Sequence, residues 1–209
     1  MRIHTERQHM IFSRTGCIAL MLACALLAGC TSMKKPQPNL FDLGLAPPPA
    51  AIPALPPLAL ADIDTPEWLD SPAIFYRFSY ASQHQPRPYA NSRWSMPPSQ
   101  LFAQRLKSRI VQGGGTLLSA SDGAVGVPVL RLEAEEFSQV FSSAGQSEGL
   151  VAMRLSVLDG RRLLGQKSFL RRAPAPSADV EGGVAALAAA SDAVMTDMLQ
   201  WLASLGLAH

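Results

Sequence analysis

The sequence predicts an α/β domain, a two-layer sandwich in which two helices pack on one face of a mixed, mostly antiparallel sheet. Three consecutive segments in the C-terminal half alternate apolar and polar residues with period two and are separated by turn residues, the signature of an antiparallel meander covered on one side. Two other segments, one before this meander and one after it, repeat their apolar residues at helical spacing instead. No cysteine follows Cys30, so no disulfide braces the domain and apolar burial has to hold it together.

The first element is an export signal rather than part of the fold. Arg2, Arg7 and Arg14 precede an apolar run over residues 16–27, which is shorter than the ~20 residues that span a bilayer. The run closes on Leu27-Ala28-Gly29-Cys30, where small residues admit a signal peptidase and the Cys30 thiol accepts a diacylglycerol. Residues 1–29 are then removed and Cys30 becomes a lipidated first residue. An ordinary signal peptide, or a buried apolar helix with an incidental cysteine, is the other reading; charge, length and small-residue rules together favour the lipoprotein signal. Three acyl chains, the usual final state, exceed the two signals that lasting membrane attachment requires.

Residues 30–57 read as a tether rich in Pro, Ala and Leu, with Pro47-Pro48-Pro49 and Pro56-Pro57 favouring extended chain that rises about 3.1 Å per residue. Within it, Asn39-Leu40-Phe41-Asp42-Leu43 alternates well enough to dock as a short edge strand. The α/β domain occupies residues 58–209. Residues 58–63 and 73–80 read as strands, with a turn over residues 66–72 between them. A polar loop follows over residues 81–88, then a short extended piece over residues 89–94. Pro97 and Pro98 mark a helix start, because the first helical turn does not need the N–H that proline lacks.

That helix runs to Gln112 and stops at Gly113-Gly114-Gly115. Leu101, Phe102, Leu106 and Ile110 form its apolar stripe, while Arg105, Lys107 and Arg109 are expected on a solvated flank. A short strand over residues 116–120 and a turn at Ser121-Asp122-Gly123 lead into the meander, over residues 127–137, 149–158 and 161–171. Leu130, Leu132 and Ala134 alternate there with Arg131, Glu133 and Glu135, and Asp159-Gly160 signals a hairpin. Residues 177–205 form the final helix, on which Leu187, Val194, Met195, Met198 and Leu202 share one face; Gly182-Gly183 leaves its first turn open and Gly206 is its expected stop.

Charge and histidine content narrow the chemistry. The chain has 18 Lys+Arg and 16 Asp+Glu, and removing residues 1–29 leaves 15 of each, so there is no clustered basic excess of the kind nucleic acid requires. His84 and His209 alone follow Cys30, and neither a Walker loop nor a nucleophile elbow is present. No cofactor, metal or catalytic residue is expected. Glu133 and Glu135 share a strand face and read either as paired carboxylates or as a solvated sheet face. The second reading is preferred, since no partner base is evident nearby. Arg161-Arg162 and Arg171-Arg172 bracket the last strand and fit either anionic headgroups or a solvated strand end. Trp68, Tyr76, Tyr89, Arg93 and Trp94 are the candidate partner-docking residues, because aromatics and arginine anchor interfaces when they are exposed.

With these residues in place, the chain resembles the ABC-type transport auxiliary lipoproteins, partners of mammalian-cell-entry (MCE) lipid transporters. The resemblance covers residues 40–205. It rests on residues 40–43 after the lipidated cysteine, on Leu69-Asp70-Ser71-Pro72-Ala73-Ile74 before an aromatic strand, and on Tyr89, Arg93-Trp94 and Pro97-Pro98 ahead of Leu101. The alanine-rich final helix completes it. A Val-rich first strand is usual in that family and is replaced here by residues 58–63, behind a long prolyl insert. The resemblance implies a non-catalytic component of a system that moves phospholipid or other hydrophobic molecules, docked to an MCE-domain substrate-binding protein and through it to an ABC permease and ATPase. It also admits self-association into a homo-oligomer. Thr31 after the acylated cysteine, where an Asp would retain the protein, fits sorting to the periplasmic side of the outer membrane. An assembly or pilot lipoprotein for another outer-membrane complex is the alternative. An envelope hydrolase would need a pocket joining His84 to a serine and a carboxylate.

Overall fold

The spine of the molecule is one long strand whose two sides are used differently. In the computed structural model, which describes residues 37–45 and 53–207, that strand is β6 (Val129–Ser143). The export signal expected over residues 1–29, Cys30 and His209 lie outside the described residues. The other strands are β1 (Asn39–Phe41), β2 (Leu58–Leu60), β3 (Ala73–Phe78), β4 (Ser82–Trp94), β5 (Leu117–Ser119), β7 (Gln146–Asp159) and β8 (Arg162–Pro174). The helices are α1 (Pro98–Gln112) and α2 (Val180–Ser204).

One side of β6 pairs antiparallel with β7 along its length, and β7 pairs antiparallel with β8. Its other side is divided. β2 lies parallel beside Val129 and Leu130, with β5 outside it, while β3 lies parallel beside residues 138–141, with β4 and then β1 outside it. An isolated bridge from Asp64 to Glu133 fills the fork. The meander therefore forms as its alternation predicts, and its strands run several residues further than the sequence pattern reaches. Only Ala144 and Gly145 separate β6 from β7, and Gly160 and Arg161 separate β7 from β8.

The polar stretch over residues 81–88 is not a loop. It is the first half of β4, and its 13 residues pair with the six of β3 through two register shifts. Pro86 and Pro88 are tolerated because β1 covers only Ser92–Trp94, which leaves the start of β4 at the sheet edge, where a missing N–H breaks no ladder. The strand expected over residues 58–63 is shorter, ending at Leu60, although Ala61 and Asp64 still donate to carbonyls of β6.

Both helices share one face of the sheet. Leu58, Leu117 and Leu130 lie in the same core cluster as Phe102, Leu106 and Ile110 of α1 and Leu187, Val194, Met195 and Met198 of α2. A β-bulge at Glu135 shifts the phase of β6 by one residue, so Phe137 and Gln139 continue the buried row begun by Leu130, Leu132 and Ala134. The backbone of α2 settles directly on β7. A Cβ at Gly149 would stand 2.5 Å from the carbonyl carbon of Ala186, and one at Gly183 would stand 2.1 Å from Gln139 Oε1. Close approach of helix to sheet thus explains Gly183, while a Cβ at Gly182 would stand 2.1 Å from the Ser177 carbonyl oxygen, so each glycine of the pair that leaves the first turn of α2 open in the sequence has its own close neighbour. Asp179 caps that turn, accepting from the Gly182 N–H at 2.8 Å. The Ser177 hydroxyl, followed by that N–H, holds its carboxyl below the usual range.

Arg105 departs from the sequence expectation. It lies on the buried stripe of α1, four residues after Leu101, and not on a solvated flank. Its Nε and Nη2 donate to both carboxylate oxygens of Asp192 in α2, at 2.8 and 2.7 Å, and its Nη1 donates to the Leu43 and Gly44 carbonyls at 2.9 Å each. Arg109 adds a bond to Thr196 Oγ1 at 2.7 Å. One guanidinium therefore ties both helices to the chain leaving β1, which shortens the free tether expected over residues 30–57.

Candidate functional site

The face of the sheet opposite the helices is bare of helices among the described residues, although Ser138, Leu150 and Ala152 on it are buried, and most of the uncommitted interface chemistry lies there. Alternation about the buried Ile74 puts Ala73, Phe75 and Arg77 of β3 on this face, and alternation about the buried Ser92 and Trp94 puts Arg93 of β4 there. Arg93 is opposite Ala73 on one side and Leu40 of β1 on the other, and Leu40 is 68% exposed. Trp68, from the turn before β3, stacks edge-on against Phe75 at 5.2 Å, with the Arg77 guanidinium 5.2 Å from the centre of its ring. Arg77 in turn pairs with Glu136 at 3.0 Å. Trp68 and Arg93, with Leu40 and Phe75, thus form one partly apolar, partly cationic patch.

Three of the sequence candidates point away from it. Trp94 is 1% exposed and packs edge-on against Phe137, so it is a core residue that a partner does not reach. Tyr76 lies on the helix side, stacked on Tyr89, Phe78 and Phe141. Tyr89 is also spent internally, its hydroxyl donating to Gln139 Oε1 at 2.8 Å. The Gln139 amide donates onward to Ser147 Oγ at 2.7 Å and to the Asp179 carbonyl at 3.1 Å, so Tyr89 helps to fix the start of α2. Burial first, then the charges of Tyr76, Asp179 and Glu181, push its phenol up to about 12. Leu40 and Phe75, which complete the patch, are not among the docking candidates of the sequence. The pairing of β1 with β4 brings Leu40 to it, and the phase of β3 about the buried Ile74 brings Phe75.

The remaining charges are arranged as a solvated face. Arg154 of β7 pairs with Glu133 at 3.3 Å and also with Glu135, so these carboxylates face a cation across the strand pair. Of the arginines around β8, Arg162 pairs with Asp159 at 3.1 Å, Arg171 with Asp197 at 2.6 Å, and Arg172 with Glu148. His84 is exposed on β4, with Gln83 Nε2 at 3.2 Å. An open groove of about 500 Å³ lies between α1 and the β2–β5 pair, lined by Ile63, Asp70, Ser99 and Lys107 among others, with no histidine on its walls. Among the described residues, no group of three His, Cys, Asp or Glu side chains is placed to hold a metal ion, and no helix is long and apolar enough to cross a membrane.

Comparison with solved structures supports the fold. Protein XCC0632 from Xanthomonas campestris, described as DUF330, superposes with a TM-score of 0.66 at 18% identity, over 81% of this chain and 94% of that one. A second crystal structure, of an uncharacterized protein, gives 0.63 at 13% identity over 79% and 98%. No curated protein is a significant match. The model of the ABC-type transport auxiliary lipoprotein component matches residues 41–199, from the end of β1 through most of α2. The chain belongs to the ABC-type transport auxiliary lipoprotein family.

Proposed function

We propose that this protein is the non-catalytic docking component of an MCE-type ABC system that moves phospholipid or other hydrophobic molecules across the envelope. An acylated Cys30 holds it on the periplasmic side of the outer membrane. The bare sheet face, through Trp68, Phe75, Arg93 and Leu40, engages an MCE-domain substrate-binding protein and through it the permease and ATPase. The observation that carries this reading is the family match across residues 41–199, which takes in Trp68, Phe75 and Arg93 of the patch and begins one residue after Leu40. The patch itself supports it: an aromatic pair beside an exposed arginine that has no ion pair among the described residues is the composition of an interface anchor. Self-association through the same patch is compatible with this role.

The test is affinity purification of the full-length acylated protein from solubilised envelopes, with its partners identified by mass spectrometry. An MCE-domain protein that is retained by the wild type and lost on Trp68→Ala with Arg93→Glu is the expected result. Retention of a secretin or an outer-membrane barrel in its place overturns the reading in favour of a pilot lipoprotein.

A further inference from the structure

The domain has two ends as well as two faces, and the anchored chain approaches from one of them. β1 runs parallel to β4, so the backbone comes to Asn39 from the side on which β4 begins, where the β3–β4 hairpin turns. From Ala73, opposite Arg93, to Phe78, opposite Ser82, is five strand steps, so this hairpin projects about 17 Å beyond the level of Leu40. The nine residue steps from Cys30 to Asn39 cannot exceed about 30 Å. The β6–β7 turn lies at the same end, because β6 is parallel to β3 and Phe78 is opposite Phe141. A membrane that holds Cys30 therefore stands within reach of both turns.

The chemistry at this end suits such a surface. Tyr80 is 54% exposed and stacks on Phe78 at 5.5 Å, and Phe78 packs on Phe141 at 5.4 Å. The exposed Arg87 places its guanidinium 5.5 Å from the centre of the Phe78 ring. No Asp or Glu occurs from residue 71 to 121 or from 137 to 147, which covers both hairpin turns. Of the nearby carboxylates Glu148 is paired with Arg172, Asp179 caps α2 through Ser177 and the Gly182 N–H and keeps its charge at the helix N-terminus, and the exposed Glu181 lies in the first turn of α2. Between Cys30 and Asn39 the charged residues are Lys34 and Lys35. Amphipathic aromatics with cations and few free carboxylates match the headgroup region of an anionic bilayer.

We infer that the β3–β4 and β6–β7 turns form a second membrane contact, in which Tyr80 and Phe78 enter the headgroup layer and Arg87 meets anionic phospholipid. This inference rests on the anchoring of Cys30 and fixes how the domain stands on the membrane. The contact turns the bare sheet face sideways, leaving Trp68 and Arg93 free for a protein partner.

Because no cysteine follows Cys30, a single introduced cysteine reports cleanly. Ala81→Cys places a fluorophore at the β3–β4 turn, and Val125→Cys places one just before β6, at the opposite end, where Val125 is 96% exposed. Each full-length acylated variant is reconstituted into phosphatidylethanolamine–phosphatidylglycerol vesicles containing nitroxide-headgroup lipid. The expected result is strong quenching at position 81, little at 125, and a decrease at 81 when phosphatidylcholine replaces the anionic lipid. Arg87→Gln is expected to lower the partition of the turn onto the bilayer about fivefold. Equal quenching at the two positions overturns the inference. So does shielding of position 81 from soluble iodide without nitroxide quenching, which marks a second protein copy as the cover. Failure of the anchoring itself is separable, since intact mass then lacks the acyl chains and the protein does not float with vesicles.

Discussion

On the helix-covered face of the sheet, the Arg105 side chain is 6% exposed and grips Asp192 with two parallel hydrogen bonds; on the bare face, Arg154 is 41% exposed between Glu133 and Glu135. Both join an arginine to carboxylate, and the consequences differ. Water screens the second arrangement and supplies alternative partners, so its loss is small. The first has little water to fall back on, and its arginine also holds the Leu43 and Gly44 carbonyls, so it fastens β1 to both helices. The covered face is thus where the fold is locked, while the exposed charges of the bare face contribute little to it.

The contrast is broken most severely at the lock. Arg105→Ala leaves Asp192 partly buried without its main partner and is expected to cost about 3–5 kcal/mol in urea unfolding. It is also expected to raise amide exchange across residues 39–44. Next, Gly149→Ala forces a methyl into the α2 backbone and is expected to cost about 1–3 kcal/mol by the same measurement. A smaller effect is expected from Tyr89→Phe, which removes the donor to the buried Gln139 amide and costs about 1 kcal/mol.

Tyr89 also sharpens the comparison through pH. Its phenol stands at about 12 in the folded protein against 10.0 ordinarily, so the folded state favours the neutral form. The associated stability is fully present below pH 10 and is lost as pH rises from about 10 to 12. Urea midpoints across that window are expected to fall for the wild type and to fall less for Tyr89→Phe; identical slopes would separate the phenol from the fold. Smallest of all, Arg154→Ala on the bare face is expected to change stability by less than about 1 kcal/mol, with the difference shrinking further in high salt.

Much of the fold was legible in the sequence because its pattern is local. The alternation of Leu130, Leu132 and Ala134 with charged residues, and the four-residue spacing of Phe102, Leu106 and Ile110, each identify a buried face without knowledge of what covers it. β4 was not legible in the same way. Its first half is polar and contains Pro86 and Pro88, and it is a strand because β3 lies beside it at a sheet edge. The burial of Arg105 likewise depends on Asp192, 87 residues away, although its spacing from Leu101 places it on the stripe. Among the docking candidates, residue type identified the aromatics but not their direction. A bulged β4 sends Tyr89 and Trp94 inward and Arg93 outward, and strand phase across a bulge is not written in composition.

The most direct test of the central claim is photo-crosslinking in intact envelopes, with a benzophenone amino acid placed at Trp68, at Arg93 and, as a control, at the buried Trp94. The account predicts adducts to an MCE-domain component of the ABC system from positions 68 and 93, and none from 94. Absence of such adducts from 68 and 93 in a protein that is acylated and membrane-bound, or adducts there to a secretin or outer-membrane barrel alone, would contradict it.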